Sequence, residues 1–347
     1  MDLSSDFSQS KDKVGQMLQC FRDLQEYSVN TNHPFFFNQL FGALDPVALA
    51  AEIIATGMNT SAYTYETAPV FTMIERDLFS NLGRIVFPQS EACDGLMLPG
   101  GPLSNLTALH VARHFATRGA GPADTESTDI DDRDFQEEKK DSSEHESERA
   151  CLVTSEPPQL VAFVSAEAHY SFEKAVSVIG LGRENLIKVP TKQNGEMDVE
   201  QLDLLMTQME NENHSGLGNK KKIPYFVGIT SGSTVRGSFD DIEAVTRVCK
   251  KHEDRMDHIQ RGDHNQGAPV DQIRQNSNKI WIHVDGAWGG PAIFSQREDI
   301  KGLVKGLSAV DSFTFHPHKM LGAPQQTTAF VTRHEVSLSF CTALVYS

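Results

Sequence analysis

The sequence contains no apolar run long enough to span a bilayer, which needs about 20 residues. It opens on MDLSSDFSQSKDK, a polar stretch without the apolar core of a secretory signal. Cysteine is scarce: Cys20, Cys93, Cys151, Cys249 and Cys341 are scattered, odd in number and never spaced as CxxC. That pattern indicates neither a disulfide framework nor a zinc site, and no metal is expected; a reducing cytoplasm suits such a chain. Positive charge is also short. Lys and Arg number 31 against 47 Asp and Glu, a net charge of -16, which argues against nucleic acid as the main partner. No membrane partner is expected either. The remaining composition, 39% hydrophobic over 347 residues, is that of a globular chain able to bury a sizeable core.

The negative charge is concentrated. Residues 121–150 hold 12 Asp/Glu against 4 Lys/Arg, a balance of -8 and half of the chain's excess. So few large apolar side chains cannot offset the ordering entropy, and 119–150 is expected to be a disordered acidic insert. A second polar stretch, 253–278, lacks a clear period and reads as an extended loop or a frayed helix. Both are expected to be solvated insertions in a globular frame.

Between the inserts, short β-rich runs alternate with helix-like ones. LVAFVSA, IPYFVGIT and KIWIHVDGA read as strands; SFEKAVSVIG, MDVEQLDLLMTQME and DIEAVTRVCKKH read as helices, the last with Asp240 and Asp241 as candidate caps. Alternating strand and helix predicts an α/β fold around a mainly parallel sheet, whose ligands collect beyond the C-terminal ends of the strands. Residues 11–28 form an amphipathic helix candidate with Val14, Met17, Leu18, Phe21 and Leu24 on one face.

Five motifs carry chemistry. In SFTFHPHKMLG, Lys319 follows an apolar strand. Burial there would lower its proton affinity and leave a neutral amine able to attack an aldehyde. His316 and His318 could donate N–H groups to a phosphate. In IHVDGAWGG, Asp285 ends a strand 34 residues earlier and could pair with a protonated pyridine nitrogen. The small Gly286 and Ala287 would let a flat ring lie on the backbone. In LMLPGGPLSN, a Gly-Gly turn leads to Ser104 and Asn105, which are expected to open a helix whose start binds phosphate. In SAEAHYS, His169 follows another strand and could stack on a ring. In GITSGSTVRGSFDDI, Ser233 and Thr234 could hydrogen-bond a cofactor substituent or the Asp. Each alone has a bland reading: a surface Lys, a loop-capping Asp, a common Gly-Gly turn, a structural His or a Ser/Thr turn. Their joint order is what carries weight.

In that order, together with HPFFFNQLFGALDPVALA and NTSAYTYETAPVFTMIE, the chain resembles the group II pyridoxal-phosphate-dependent amino-acid decarboxylases. Within them it is similar to the glutamate decarboxylase and cysteine sulfinate decarboxylase branch. The similarity runs from about Tyr27 to about Glu335. It implies fold type I, the aspartate-aminotransferase-like architecture. Residues 1–45 would be an N-terminal helical segment, 46–335 the large cofactor-binding domain and 336–347 an atypical tail. The small C-terminal domain would be largely absent.

The resemblance also implies roles. Lys319 would carry pyridoxal 5'-phosphate as a Schiff base, the internal aldimine, and Asp285 would pair with the pyridine nitrogen. His169 would stack on one ring face and Ala287 pack on the other. The Leu103 N–H, Ser104 and His318 would hold the phosphate, and Ser233 or Thr234 would lie near the ring. Gln39 would contact the substrate's side-chain acid group across a homodimer interface. Phe41 would shorten that pocket and favour cysteine sulfinate or aspartate over glutamate. The reaction would be loss of CO2 from an acidic amino acid, leaving an amine.

Two departures stand out. His316 takes a position where the family has Asn. The chain also stops 28 residues after Lys319, before the family's mobile catalytic loop and acid-gripping Arg. A truncated chain that binds the cofactor better than it decarboxylates, acting as an impaired paralogue or dimer partner, is the alternative expectation. Transamination on the same fold is disfavoured by the FNQL and TYE-x-APV segments.

Overall fold

A computed structural model describes residues 12–38, 40–62, 64–90, 93–117, 158–215, 220–262 and 278–334. The acidic insert, Gln39 and the 336–347 tail lie outside the described residues. One mixed sheet of seven strands organises the rest, in the order β1-β7-β6-β5-β4-β2-β3. The strands are β1 (Asp94–Pro99), β2 (Gln159–Ser165), β3 (Leu186–Val189), β4 (Lys222–Thr230), β5 (Trp281–Gly286), β6 (Ser312–Phe315) and β7 (Thr327–Thr332). β3, β2, β4, β5 and β6 run parallel, whereas β7 pairs antiparallel with both β6 and β1. The α/β sheet expected from the alternating pattern is therefore present, with one reversed strand.

The central strands are buried along most of their length, every residue of β5 and β6 included. This is the near-continuous apolar run of strands covered on both faces. One layer of core joins Phe163, Val227, Val284 and Phe313 to α6 (Val199–Ser215) and α7 (Ile242–Gly262). The other joins Ala162, Phe226 and Phe330 to α4 (Gly101–Thr117) and α5 (Ser171–Val178). α7 continues to Gly262, so the first part of the 253–278 stretch is helical. Glu253 explains part of this, because its carboxylate accepts the Ile280 N–H at 2.7 Å and ties the helix to the approach of β5.

Two helices went unread in the sequence: α2 (Pro46–Met58) and α3 (Pro69–Val86). Asp45 caps α2 by accepting the N–H groups of Val47 and Ala48 at 2.9 and 3.1 Å, with Pro46 in the first turn where a missing N–H costs nothing. The amphipathic helix near the N-terminus is α1 (Lys13–Tyr27), and neither α1 nor α2 has a buried residue. Val14, Met17, Leu18, Phe21 and Leu24 are all exposed, as are Val47, Ile53, Ile54 and Met58.

Candidate active site

The C-terminal ends of β2, β4, β5 and β6 lie side by side because these strands are parallel neighbours, and the loops leaving them converge. A cleft there is lined by Gly101, Asn105, Glu167, His169, Thr230, Gly232, Thr234, Asp285, Ala287 and Lys319. Residues more than 200 positions apart in the chain thus meet where a parallel sheet places its ligands.

Asp285 is 5% exposed at the end of β5. Its Oδ2 accepts from Asn105 Nδ2 at 2.7 Å and its Oδ1 from the Ala287 N–H at 3.0 Å. Burial pushes its proton affinity up, but the Asn105 bond, the neighbouring histidines and the Ala287 N–H together hold it below the usual carboxylate value. Lys319 sits in Pro317–Met320, one short helical turn begun by Pro317 after β6. Burial lowers its proton affinity and the Asp285 charge opposes that shift. His169 also loses proton affinity, first through burial and then through the charges of Lys319 and Lys174, against the pull of Asp285.

His316 is 5% exposed, and both of its ring nitrogens are buried without a hydrogen-bond partner. Burial drives its pKa down to about 3, so the ring is neutral at pH 7. It stacks on His318 with ring centroids 5.0 Å apart. His318 Nδ1 lies 2.6 Å from the Thr327 carbonyl oxygen; that acceptor puts the proton on Nδ1 and turns Nε2 away. The edge of His316 faces Gly101, where a side-chain Cβ would come within 2.4 Å of its Cε1. Only glycine lets the histidine and the start of α4 approach this closely.

Several expected residues lie elsewhere than the sequence suggested. The helix starts at Gly101, earlier than the Ser104–Asn105 start read from sequence, because Gly100 takes a left-handed φ of +97° and completes the turn. Ser104 is fully buried inside α4, and its hydroxyl pairs with Thr314 Oγ1 of β6. Leu103 occupies the first turn, where backbone N–H groups lack helical partners. The Ser233 hydroxyl pairs with Ser238 Oγ at 2.7 Å and closes its own turn, while Thr234 lines the cleft. Gly286 does not open a floor for a ring: a Cβ there would meet Phe313 at 2.6 Å and the Thr314 carbonyl at 2.9 Å, so its smallness serves sheet packing. Ala287 does line the cleft. Phe41 packs on Phe36 with centroids 5.7 Å apart. Its segment is moored near the lysine, since the Asp45 N–H donates to the Gly322 carbonyl at 2.8 Å.

Asn105, Thr230 and His283 escaped the sequence reading as functional groups. Thr230 and Ser231 keep buried hydroxyls without partners at the mouth of β4. Their adjacency in TSGST was the available signal; nothing local marks His283, which lies on β5 among Phe172, Phe226 and Phe330.

The donor set fits a pyridoxal phosphate group. A desolvated amine, a buried ionised carboxylate and a neutral imidazole share one cleft. Unpartnered His316 nitrogens lie beside a helix start, as a phosphate requires. Among the described residues no helix is long and apolar enough to cross a membrane.

Comparison with known proteins gives the family. Residues 1–346 match the pyridoxal-dependent decarboxylase conserved domain. Human cysteine sulfinic acid decarboxylase is 33% identical over 323 residues, covering 93% of this chain and 52% of that protein. Human acidic amino acid decarboxylase GADL1 is 32% identical, covering 93% of this chain and 49% of the relative. The chain thus spans about half the length of the curated relatives it matches. The crystal structure of mouse CSAD superposes with a TM-score of 0.71 at 32% identity, over 97% of this chain and 57% of that one. The chain belongs to the pyridoxal-dependent decarboxylase family.

Proposed function

We propose that this chain carries pyridoxal phosphate on Lys319 and uses it to decarboxylate an acidic amino acid. The observation that carries the reading is the shared cleft of Lys319, Asp285 and His169, with His316 and the start of α4 at its edge. Bound pyridoxal phosphate supplies an aldehyde for amine exchange and a cationic ring that accepts the electron pair left by departing CO2.

The protein's own groups have distinct tasks. Lys319, desolvated, holds its amine partly neutral for attack on the aldehyde. Asp285, kept ionised by Asn105 and Ala287, holds a proton at the pyridine nitrogen. His169 covers one face of the ring and Ala287 supports the other. His316 and the N–H groups of the first turn of α4, including Leu103, hold the phosphate, His318 backs the His316 ring by stacking on it, and Ser104 supports that turn through Thr314. Thr234, rather than Ser233, reaches the ring substituent. Gln39 contacts the substrate's side-chain acid group, and Phe41 shortens the pocket that receives it.

The acidic substrate class is supported by the names of the two human relatives. A homodimer is supported by the exposed apolar faces of α1 and α2, which together leave Met17, Phe21, Ile53 and Ile54 in solvent.

The test is direct. The full chain is incubated with pyridoxal phosphate, reduced with borohydride and mapped by peptide mass. Lys319 is expected to bear the tag, and Lys319→Ala to lose both the tag and the visible absorbance. Cysteine sulfinate, aspartate and glutamate are then supplied in turn and CO2 is measured. A tag on another lysine, or none, would sink the reading. A tag on Lys319 without CO2 from any of the three would leave cofactor attachment standing and remove the decarboxylation.

A further inference from the structure

Behind the cleft a buried hydrogen-bond chain runs across the sheet, and its direction can be worked out from its ends. Trp281 Nε1 can only donate, and it lies 2.8 Å from Ser312 Oγ. Ser312 Oγ also lies 2.8 Å from His283 Nδ1, and because a hydroxyl can accept twice, the direction of this link is set from the other end, by Asp285. His283 is fully buried, and its pKa is pushed down to about 4 by that burial, so the ring carries a single proton. The ionised Asp285 can only accept, so Asn105 turns its nitrogen to Asp285 and its Oδ1 to His283 Nε2 at 3.3 Å; the single ring proton sits on that Nε2, and Nδ1 accepts from Ser312. The Asn105 amide is thereby oriented: oxygen toward His283, nitrogen toward the site. Its two Nδ2 protons go to Asp285 Oδ2 at 2.7 Å and to Ser171 Oγ at 2.9 Å. Ser171 Oγ lies 2.8 Å from His169 Nδ1, and the Ser171 backbone N–H, which can only donate, points at the same nitrogen at 3.3 Å, so Nδ1 accepts.

We propose that Asn105 and His283 are positioning residues, and that this chain, through Ser171, helps hold His169 with its proton on Nε2. The same chain keeps the donor side of Asn105 on Asp285. Reversal of the His283–Asn105 link would turn the Asn105 oxygen toward the Asp285 carboxylate, two acceptors facing each other in a buried site. The packing resists such reversal: His283 is held between Phe172, Phe226 and Phe330, with centroids 6.0 to 6.4 Å away. The inference rests on the cofactor site proposed above, and it concerns groups that act through Asp285 and His169.

The test reads the tautomers directly. In full-length chain with 15N-labelled histidine, with and without pyridoxal phosphate, His169 and His283 should each show an unprotonated Nδ1 and a protonated Nε2. His283→Phe keeps the ring packing but removes the donor to Asn105. It should give His169 a mixture of tautomers and weaken pyridoxal phosphate binding by roughly tenfold, the loss of about one neutral hydrogen bond. His283→Gln can accept from Ser312 and donate to Asn105, and should restore both readouts. A protonated Nδ1 on His169 in the unaltered protein would overturn the proposal without any variant. So would an unchanged tautomer and affinity in folded His283→Phe. Borohydride tagging on the same samples separates the two ideas: an untagged Lys319 removes the cofactor site, whereas a tagged Lys319 beside the wrong tautomer removes only the chain from Trp281.

Discussion

Gly101→Ala adds one methyl group at the point where α4 meets His316. An ideal Cβ there lies 2.4 Å from His316 Cε1 and 2.7 Å from Nε2, against an ordinary carbon contact of about 3.5–4.0 Å. The overlap is over an ångström, and the ring has little room to yield. His316 is 5% exposed, stacks on His318, and its backbone N–H is tied to the Ala287 carbonyl at 3.2 Å. Overpacking of this kind costs about 1–3 kcal/mol, while replacing a helical glycine returns up to about 1 kcal/mol. The net expectation is a loss of about 0–2 kcal/mol in urea unfolding without cofactor. The effect on pyridoxal phosphate should be larger. Moving His316 or the first turn of α4 removes at least one charge-assisted bond to phosphate, worth about 1.5–3 kcal/mol, and so weakens Kd by roughly 10- to 150-fold. Gly57→Ala is the control: it lies in α2 with nothing within 4 Å of an added Cβ. It should gain about 0.5–1 kcal/mol of stability and leave the cofactor Kd unchanged. Gly101→Ala protein that binds pyridoxal phosphate as tightly as the unaltered chain would refute the cradle between α4 and His316.

Lys319 should capture pyridoxal phosphate with a pH–rate midpoint below that of free lysine, because burial lowers its proton affinity; Asp285→Asn removes the opposing charge and should move the midpoint lower still, while weakening equilibrium binding. A stopped-flow absorbance profile with both midpoints at the free-lysine value would contradict this. At the sheet's other end, Asp311 is 2% exposed, accepts the Ile282 N–H at 2.9 Å and pairs with Lys279 and His334, each at 3.0 Å. Burial raises its proton affinity, but the His334 bond, the Lys279 charge and the Ile282 N–H bring it below the ordinary aspartate value. Its contribution is therefore full above that value and lost as pH falls through the lower folded one. Asp311→Asn should cost about 2–3 kcal/mol at pH 7, discounted for partly exposed partners, and the gap to the unaltered chain should close as acid protonates Asp311; an equal gap at pH 7 and pH 3 would count against it. His252, fully buried, bridges Glu210 Oε1 at 2.5 Å and Asp203 Oδ1 at 2.7 Å, joining α7 to α6. His252→Leu should cost about 1–3 kcal/mol in thermal unfolding; no change in Tm would show that the bridge contributes nothing.

The central strands were legible because each is a run of apolar residues of strand length between punctuating small or polar ones. β3 was not, since Leu186–Val189 is four residues with an exposed Lys188, too short for a period to emerge. β1 was hidden in a segment read for its Gly-Gly turn. α2 and α3 were missed although Asp45-Pro46 is a capping signal, because the apolar residues of α2 fill more than one face. At the site, Lys319, Asp285 and His169 each follow a strand and could be read in line. The partners that orient them could not. Asn105 and Asp285 are 180 positions apart, Ser104 and Thr314 are 210 apart, and only the sheet order brings them together.

That difference bears on how the site works. Two opposed demands meet in the cleft: the amine must shed a proton near neutral pH, and the carboxylate must keep its charge in the same buried space. Burial alone satisfies the first and defeats the second. Asp285 raises the proton affinity of Lys319, so the carboxylate cannot be stabilised chiefly by the lysine without undoing the amine. The structure resolves this by giving Asp285 uncharged donors, the Asn105 amide and the Ala287 N–H, which stabilise its charge while adding none of their own. A second cation in place of Asn105 would hold Asp285 as firmly, but it would compete with a protonated ring nitrogen for that carboxylate. An oriented neutral amide, itself fixed from behind by His283, meets both demands at once.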